Sequence, residues 1–82
     1  MADIARSPKQ LGNIIHRARK QRGMTQTELA NRTGLRQALI SEIETGNNGT
    51  KMSTIYTLLA ALDLELMVGR RSASTKNIED IF

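Results

Sequence analysis

The sequence predicts an all-α fold of four short helices followed by one short β-strand. Apolar residues recur at helical spacing in four segments, most of them with a recognisable start or stop signal. The second and third segments are separated by a single turn glycine, Gly34, as in a tight helix-turn-helix. At Asp63 the apolar period changes to the two-residue alternation of a half-buried strand.

The first helix is expected to begin directly after Ser7. Ser7 is a suitable N-cap, Pro8 takes the first helical position, and Gln10 completes a capping box. Gly23 is expected to end the helix. Gly12 lies inside it and costs about 1 kcal/mol relative to Ala, which close packing against another segment would explain. The apolar stripe of this helix consists of Leu11, Ile14, Ile15 and Ala18.

The second helix is expected to begin at Gln26 and to end near Thr33. Thr25 precedes it as the N-cap, and Glu28 stands where its side chain can reach back to complete a capping box. Gly34 then ends the helix, because glycine adopts a positive φ without steric cost.

The third helix is expected to begin at Arg36 or Gln37 and to end at Thr45. Ala30, in the second helix, is small where the two helices must cross closely. A small residue, a glycine four residues later and a β-branched apolar residue six positions beyond it form the pattern of DNA-binding helix-turn-helix motifs. A tight helical hairpin without that function remains an alternative. The expected apolar contacts of the pair are Leu29, Leu35, Ile40 and Ile43.

A turn-rich loop over residues 47–51 leads to a fourth helix, with Ser53 as its expected cap and Tyr56 at its edge. The following strand has no partner elsewhere in the chain, so a second copy of the chain is expected to pair with it. The alternative is that residues 63–68 extend the fourth helix. The apolar residues of the helix are Met52, Ile55, Leu58, Leu59 and Leu62, and those of the strand are Leu64, Leu66 and Val68.

Positive charge is concentrated in the first half of the chain. Residues 1–40 hold eight Lys or Arg against two Asp or Glu, whereas residues 41–82 hold four against six. This asymmetry suits a polyanion such as nucleic acid, although a solvated basic face is the simpler alternative. Residues 7–69 are expected to form one DNA-binding and dimerisation domain between a flexible arm, 1–6, and a flexible tail, 70–82. The apolar tip of that tail could also dock into a partner.

No catalytic constellation is visible in the sequence. There is no Cys, and the single histidine, His16, has no carboxylate or second His at ligand spacing, so we expect it at the surface or the edge of the core. We therefore expect no enzyme activity, no metal and no cofactor. The chain lacks an apolar run long enough to span a bilayer, and we expect a cytoplasmic, nucleoid-associated protein with no membrane partner.

The first turn of the third helix is expected to enter the major groove of DNA. Gln37 can bind an adenine bidentately at N6 and N7. Arg36 stands where Ser, Thr or Asp would cap the helix better, which suggests that it contacts guanine or a phosphate. Ala38 is small enough to touch a thymine methyl group, and Ser41 lies one turn further along the same face. These four residues are the predicted base contacts.

Four segments of the sequence support a family resemblance: SPKQL, GMTQTELA, GLRQALIS and LLAALDLELMV. The motif resembles the Xre/Cro family of phage-repressor-like proteins, and residues 7–68 resemble the HipB family of antitoxins. This implies a lambda-repressor-like domain that binds a palindromic operator in double-stranded DNA as a homodimer. It also implies repression of a toxin–antitoxin operon and binding of a HipA-like kinase toxin. The alternatives are a restriction–modification controller or phage-type repressor, and a protein that mainly binds a partner.

The same resemblance implies two groups of DNA phosphate contacts. Gln26 matches the phosphate-binding glutamine of the repressors, at a helix N-terminus that favours an anion, and the segment from Thr45 through Lys51 matches a second phosphate-binding region. Glu42 departs from the family pattern, and it either accepts from cytosine N4 or pairs with a neighbouring Arg. The expected phosphate contacts are Thr25, Gln26, Thr45, Asn47 and Lys51, and the expected dimer interface is Leu64, Leu66 and Val68.

Overall fold

A computed structural model describes residues 3–47 and 49–71 of the chain. Helix α1 packs against α3, and α2 packs against both α3 and α4. The four predicted helices are confirmed, and the observed bounds of α2 are those expected from its capping box and turn glycine. The helices are α1 (Pro8–Gln21), α2 (Gln26–Thr33), α3 (Gln37–Glu44) and α4 (Met52–Ala61).

The core is aliphatic and receives side chains from all four helices. Met52 was expected in the apolar stripe of α4, but its side chain is exposed because the buried stripe begins one turn later, at Ile55. Tyr56 is also exposed, at the edge of the same helix. The buried apolar residues are Ile15, Leu29, Ala30, Ile40, Ile43, Ile55, Leu58, Leu59 and Leu62.

Gly12 lies where α1 crosses the C-terminal end of α3. A Cβ atom at this position would overlap the carbonyl oxygen of Ile43 and would lie only 2.8 Å from that of Glu44. The backbone of α1 therefore approaches α3 more closely than a side chain would permit. This close approach explains a glycine that is otherwise unfavourable inside a helix.

The helix starts match the predicted caps in two cases out of three. The Ser7 hydroxyl accepts from the backbone N–H of Gln10, but the Gln10 side chain accepts from the N–H of Arg6 and so does not close the expected box. The box at Thr25 is complete. The prediction that Ser53 caps α4 is wrong, because the helix begins at Met52, two residues earlier than a Ser53 cap would place it, and its N-cap, Lys51, makes no side-chain capping bond.

Helix α4 ends in a Schellman motif with an aspartate in the left-handed conformation. Asp63 has a φ of 59°, its N–H donates to the carbonyl of Ala60 at 3.1 Å, and the N–H of Leu64 donates to that of Leu59 at 2.7 Å. These are the two hydrogen bonds that define the motif. The alternative in which residues 63–68 continue the helix is therefore wrong.

Residues 64–71 form neither helix nor strand within the single chain. The predicted strand is not formed here because a strand needs a paired neighbour and residues 3–47 and 49–71 supply none. Leu64 packs against the core. The side chains beyond it are increasingly exposed: 43% for Leu66, 72% for Met67 and 93% for Val68. Pairing with a second copy stays a prediction.

Part of the predicted arm and tail lies outside the described residues. These parts are residues 1–2 and residues 72–82, and the latter include the apolar tip of the tail. Residues 3–6 have no regular secondary structure. Within the part of the chain that the structure describes, every helix falls short of the length and hydropathy needed to cross a bilayer.

Candidate nucleic-acid interface

The predicted base-reading residues lie at the N-terminal end of α3 and are at least partly exposed. Arg36, Gln37 and Ala38 are exposed and Ser41 is half-buried. The opposite face of α3 is anchored in the core, where Ile40 is fully buried. Arg36 occupies the N-cap position without a side-chain capping bond, so its guanidinium group is not used to stabilise the helix start.

Gln37 is held by a glutamine at the start of α2. Its Nε2 donates to Gln26 Oε1 at 2.6 Å. An amide nitrogen carries two N–H groups, so the second N–H and the Oε1 of Gln37 can still donate to N7 and accept from N6 of an adenine. The two glutamines therefore form one hydrogen-bonded unit that spans the turn between α2 and α3.

The other end of this unit is bound to a buried carboxylate. Gln26 Nε2 donates to Oε1 of Glu44 at 3.2 Å, and the Glu44 side chain is only 2% exposed. Arg19 binds the same carboxylate bidentately, with Nε 2.7 Å from Oε2 and Nη2 3.0 Å from Oε1. A further guanidinium N–H donates to the carbonyl of Met24 at 2.7 Å. These contacts connect α1, α2 and α3 behind the exposed face.

A fourth donor to Glu44 is the imidazole of His16, whose Nδ1 lies 2.7 Å from Oε1. Burial alone would raise the pKa of Glu44, but the hydrogen bonds from Arg19, His16 and Gln26 together lower the pKa below its ordinary value. The hydrogen bond to Glu44 in turn raises the pKa of Arg19. The pair is therefore ionised at neutral pH.

The surroundings of two residues of α1 were not apparent from the sequence. His16 lies at the edge of the core as expected, with its side chain 47% exposed, and Glu44 supplies a carboxylate partner from another helix, 28 residues away. Arg19 was counted with the positive charge available to a polyanion, but it is buried against Glu44. Two other arginines of this region also face carboxylates: Arg17 lies 3.6 Å from Asp3, and Arg22 lies 3.6 Å from Asp63.

An open depression lies at the N-terminus of α2, beside Gln37. The first turn of a helix has N–H groups without intrahelical acceptors, and it carries the positive end of the helix dipole. Thr25, Gln26 and Lys20 are among the residues that line the depression. Lys20 was not among the predicted phosphate contacts. An anion would be favoured at this helix N-terminus.

The second predicted phosphate segment is only partly suited to that role. Lys51 and Asn47 are exposed. The hydroxyl of Thr45 donates to the carbonyls of Ser41 and Glu42, at 3.1 and 2.9 Å, so its single proton is already in use. Glu42 accepts from the Asn47 side-chain amide at 3.3 Å. Within the described residues the partner of Glu42 is therefore Asn47 and not a neighbouring Arg, whereas the contact with cytosine stays a prediction.

Comparisons with known proteins agree with this geometry. The helix-turn-helix family HTH_3 matches residues 15–68. Antitoxin HipB from Escherichia coli K12 is 36% identical over 74 residues, which cover 89% of this chain and 84% of HipB. The solved structure of a HipB-O4 20mer complex is similar with a TM-score of 0.76 at 36% identity, covering 85% of this chain and 97% of that one.

A more distant similarity is to a solved structure of the restriction-modification controller protein C.AhdI from Aeromonas hydrophila. Its TM-score is 0.66 at 28% identity, and the match covers 71% of this chain and 88% of the controller. The family model and the HipB relative together span the motif and most of the chain. The chain therefore belongs to the helix-turn-helix family that includes the HipB antitoxins.

Proposed function

We propose that this protein is a transcriptional repressor and antitoxin that binds a palindromic DNA operator as a homodimer and neutralises a HipA-type kinase toxin. The observation that carries the proposal is the glutamine pair at the start of α3. Gln37 is exposed at the first position of α3, and Gln26 holds it from α2. A side chain fixed in this way loses little conformational freedom when it binds a base edge.

The remaining contacts follow from their positions around this pair. Arg36, Ala38 and Ser41 would contact base edges beside Gln37, with Arg36 suited to guanine O6 and N7. Gln26, Thr25 and Lys51 would bind phosphates on either side, together with Asn47. Thr45 could bind a phosphate only if its hydroxyl left the carbonyls of α3. Such a protein would act on the chromosome, in the cytoplasm.

A homodimer is supported by the apolar segment after α4. Leu66 and Val68 are exposed although they are apolar, and this segment pairs with no strand among the described residues. Antiparallel pairing with a second copy would satisfy the backbone groups and cover Leu64, Leu66 and Val68. A two-fold axis at this position would repeat the reading face, with half-sites about 34–36 Å apart.

The antitoxin role is favoured over a restriction–modification controller by the end of α4. The controllers resemble this chain in the motif but typically dimerise through helices, whereas here the Schellman motif at Asp63 ends the last described helix. A HipA-HipB-O2-O3 complex is among the similar solved structures, at 36% identity. These observations support a HipA-type partner.

The experiment that tests the proposal is selection of double-stranded DNA from a random pool of about 30 base pairs by the purified protein. We expect the enriched duplexes to share two inverted half-sites with centres one helical turn apart. Enrichment of single half-sites, or no enrichment over the starting pool, would contradict operator binding by a homodimer. Co-expression with a HipA-type kinase toxin in bacterial cells then tests neutralisation. If co-expression does not restore growth of the cells, the antitoxin role is contradicted and the repressor role still stands.

A further inference from the structure

The imidazole of His16 covers the carboxylate on which the reading face depends. The His16 side chain is 47% exposed, whereas that of Glu44, directly beneath it, is 2% exposed. The Nδ1 atom of His16 lies 2.7 Å from Glu44 Oε1 and 3.2 Å from Arg19 Nη2. Because an ionised carboxylate can only accept, the 2.7 Å contact makes Nδ1–H a donor to Glu44. The longer approach to Arg19 Nη2, which is also a donor, is then not a hydrogen bond.

Three donors converge on the same oxygen, and the longest of the three hydrogen bonds is the one that matters for DNA. Oε1 of Glu44 receives His16 at 2.7 Å, Arg19 at 3.0 Å and Gln26 at 3.2 Å. Without the imidazole, water would reach Oε1 from the solvent side. Water would then compete most effectively with the longest bond, from Gln26, and Gln37 is held only through Gln26 in this chain of contacts.

We infer that His16 is a positioning residue for DNA recognition, which acts through Glu44 on Gln26 and Gln37. This inference rests on the proposed function and names a residue of α1, outside the motif, that controls how well the motif is organised. His16 keeps water from Glu44 and anchors the carboxylate oxygen that Gln26 binds. The charged groups that face the imidazole are Arg19 on its own helix and Glu44 on α3.

The first test compares His16→Ala, His16→Asn and the control Asn13→Ala, which removes an exposed polar side chain from the same helix. The side-chain amide of Asn can place a donor near the position of Nδ1. We expect His16→Ala to lower the operator-to-random affinity ratio about three- to ten-fold, the cost of ordering freed side chains. His16→Asn should return the ratio to within about two-fold of wild type, and Asn13→Ala should not change it. Dividing by the affinity for the random duplex removes the effect of any change in the net charge of the protein.

The second test asks whether His16 acts through Gln26. In a Gln26→Ala background, His16→Ala should have almost no further effect on the ratio, because the hydrogen bonds that link Glu44 to Gln37 through Gln26 are already absent. Equal losses in both backgrounds would overturn the inference, as would a His16→Asn protein that is folded and as impaired as His16→Ala. Should His16→Ala fail to fold, His16→Ser, which also uncovers the carboxylate, takes its place.

A measurement without DNA separates this inference from the proposed function. In the NMR spectrum of the free protein, the proton chemical shifts of the Gln26 side-chain amide should differ from those of a free glutamine in wild type. These should move towards the values of a free glutamine in His16→Ala and return in His16→Asn. If the wild-type protein selects no operator, the proposed function fails. The Gln26 amide resonances would still show whether His16 positions the Gln26 side chain. A Gln26 amide that is insensitive to His16→Ala would refute it.

Discussion

Arg19 and Glu44 form a buried bidentate ion pair that joins α1 to α3 directly behind the proposed DNA-reading face. Both nitrogen–oxygen contacts are 3.0 Å or shorter, and both side chains are almost completely buried. The pair therefore connects the stability of the fold to the geometry of the face. Its removal should affect both properties, and they can be measured separately.

The first prediction concerns stability. Arg19→Met leaves the Glu44 carboxylate buried without its main partner and should lower the free energy of unfolding by about 3–5 kcal/mol. The double variant Arg19→Met/Glu44→Leu removes both charges and should regain most of that loss. Urea denaturation at pH 7 provides the measurement. A double variant as unstable as the single one would mean that the pair itself, and not the unpaired charge, determines stability.

The second prediction concerns pH. The pKa of Glu44 is lowered in the folded state from its ordinary value of 4.5, so folding favours the carboxylate over the protonated acid. The stabilisation is therefore complete above pH 4.5 and is lost as the pH falls through the lower, folded-state pKa. Unfolding free energies at pH 6 and pH 3 should differ less in Arg19→Met/Glu44→Leu than in wild type. An equal difference in the two proteins would assign the acid sensitivity to other groups.

The third prediction concerns the end of α4. Asp63 has a φ of 59°, which glycine adopts more readily than aspartate. Asp63→Gly should raise the unfolding free energy by about 0.5–1 kcal/mol. The contact that it removes, with Arg22, is 3.6 Å long and highly exposed, so it contributes little. Thermal denaturation checks the shift, with Glu65→Gly as the control expected to give no gain. Destabilisation by Asp63→Gly would show that the Arg22 contact contributes more to the free energy of unfolding than the left-handed backbone conformation costs.

The sequence alone was sufficient to predict the ends of a helix where the capping and stop residues lie within a few positions of those ends. Thr25 and Gly34 mark both ends of α2 within a few residues, and the observed bounds agree with them. At α4 a serine resembled a cap, but burial of Ile55 and its neighbours places the helix start at Met52, and the side chain of Lys51 contributes no capping bond. Packing of the whole helix outweighed a single local preference.

The buried network could not be predicted because its members are far apart in the sequence. Glu44 receives donors from residues 18, 25 and 28 positions away, on two other helices. No spacing rule connects them, since their proximity depends on how α1 crosses α3. Gly12 lies at that crossing, but the reason for a glycine there is apparent only from the close approach of the α3 carbonyl oxygens to its Cα. The predicted strand likewise depends on a partner that one chain does not supply.

The fourth prediction concerns the dimer. Leu66→Lys would place a charge in the proposed interface twice, because a two-fold axis repeats every substitution. We expect a shift from dimer to monomer in sedimentation at micromolar concentration, and weaker operator binding. Glu65→Lys changes the neighbouring exposed residue and should remain dimeric. A Leu66→Lys protein that stays fully dimeric with an unchanged circular dichroism spectrum would place the interface elsewhere.

We expect Gln37 to read a base while Lys51 binds the DNA backbone. Fluorescence anisotropy on the selected operator and on a random duplex measures both roles. Gln37→Ala should weaken operator binding by about 1–3 kcal/mol, or about 5- to 150-fold, with little change on random DNA. Lys51→Ala should weaken both duplexes alike and reduce the salt dependence. If Gln37→Ala weakened random DNA as much as the operator, Gln37 would not be a base-reading residue and the account of this interface would be contradicted.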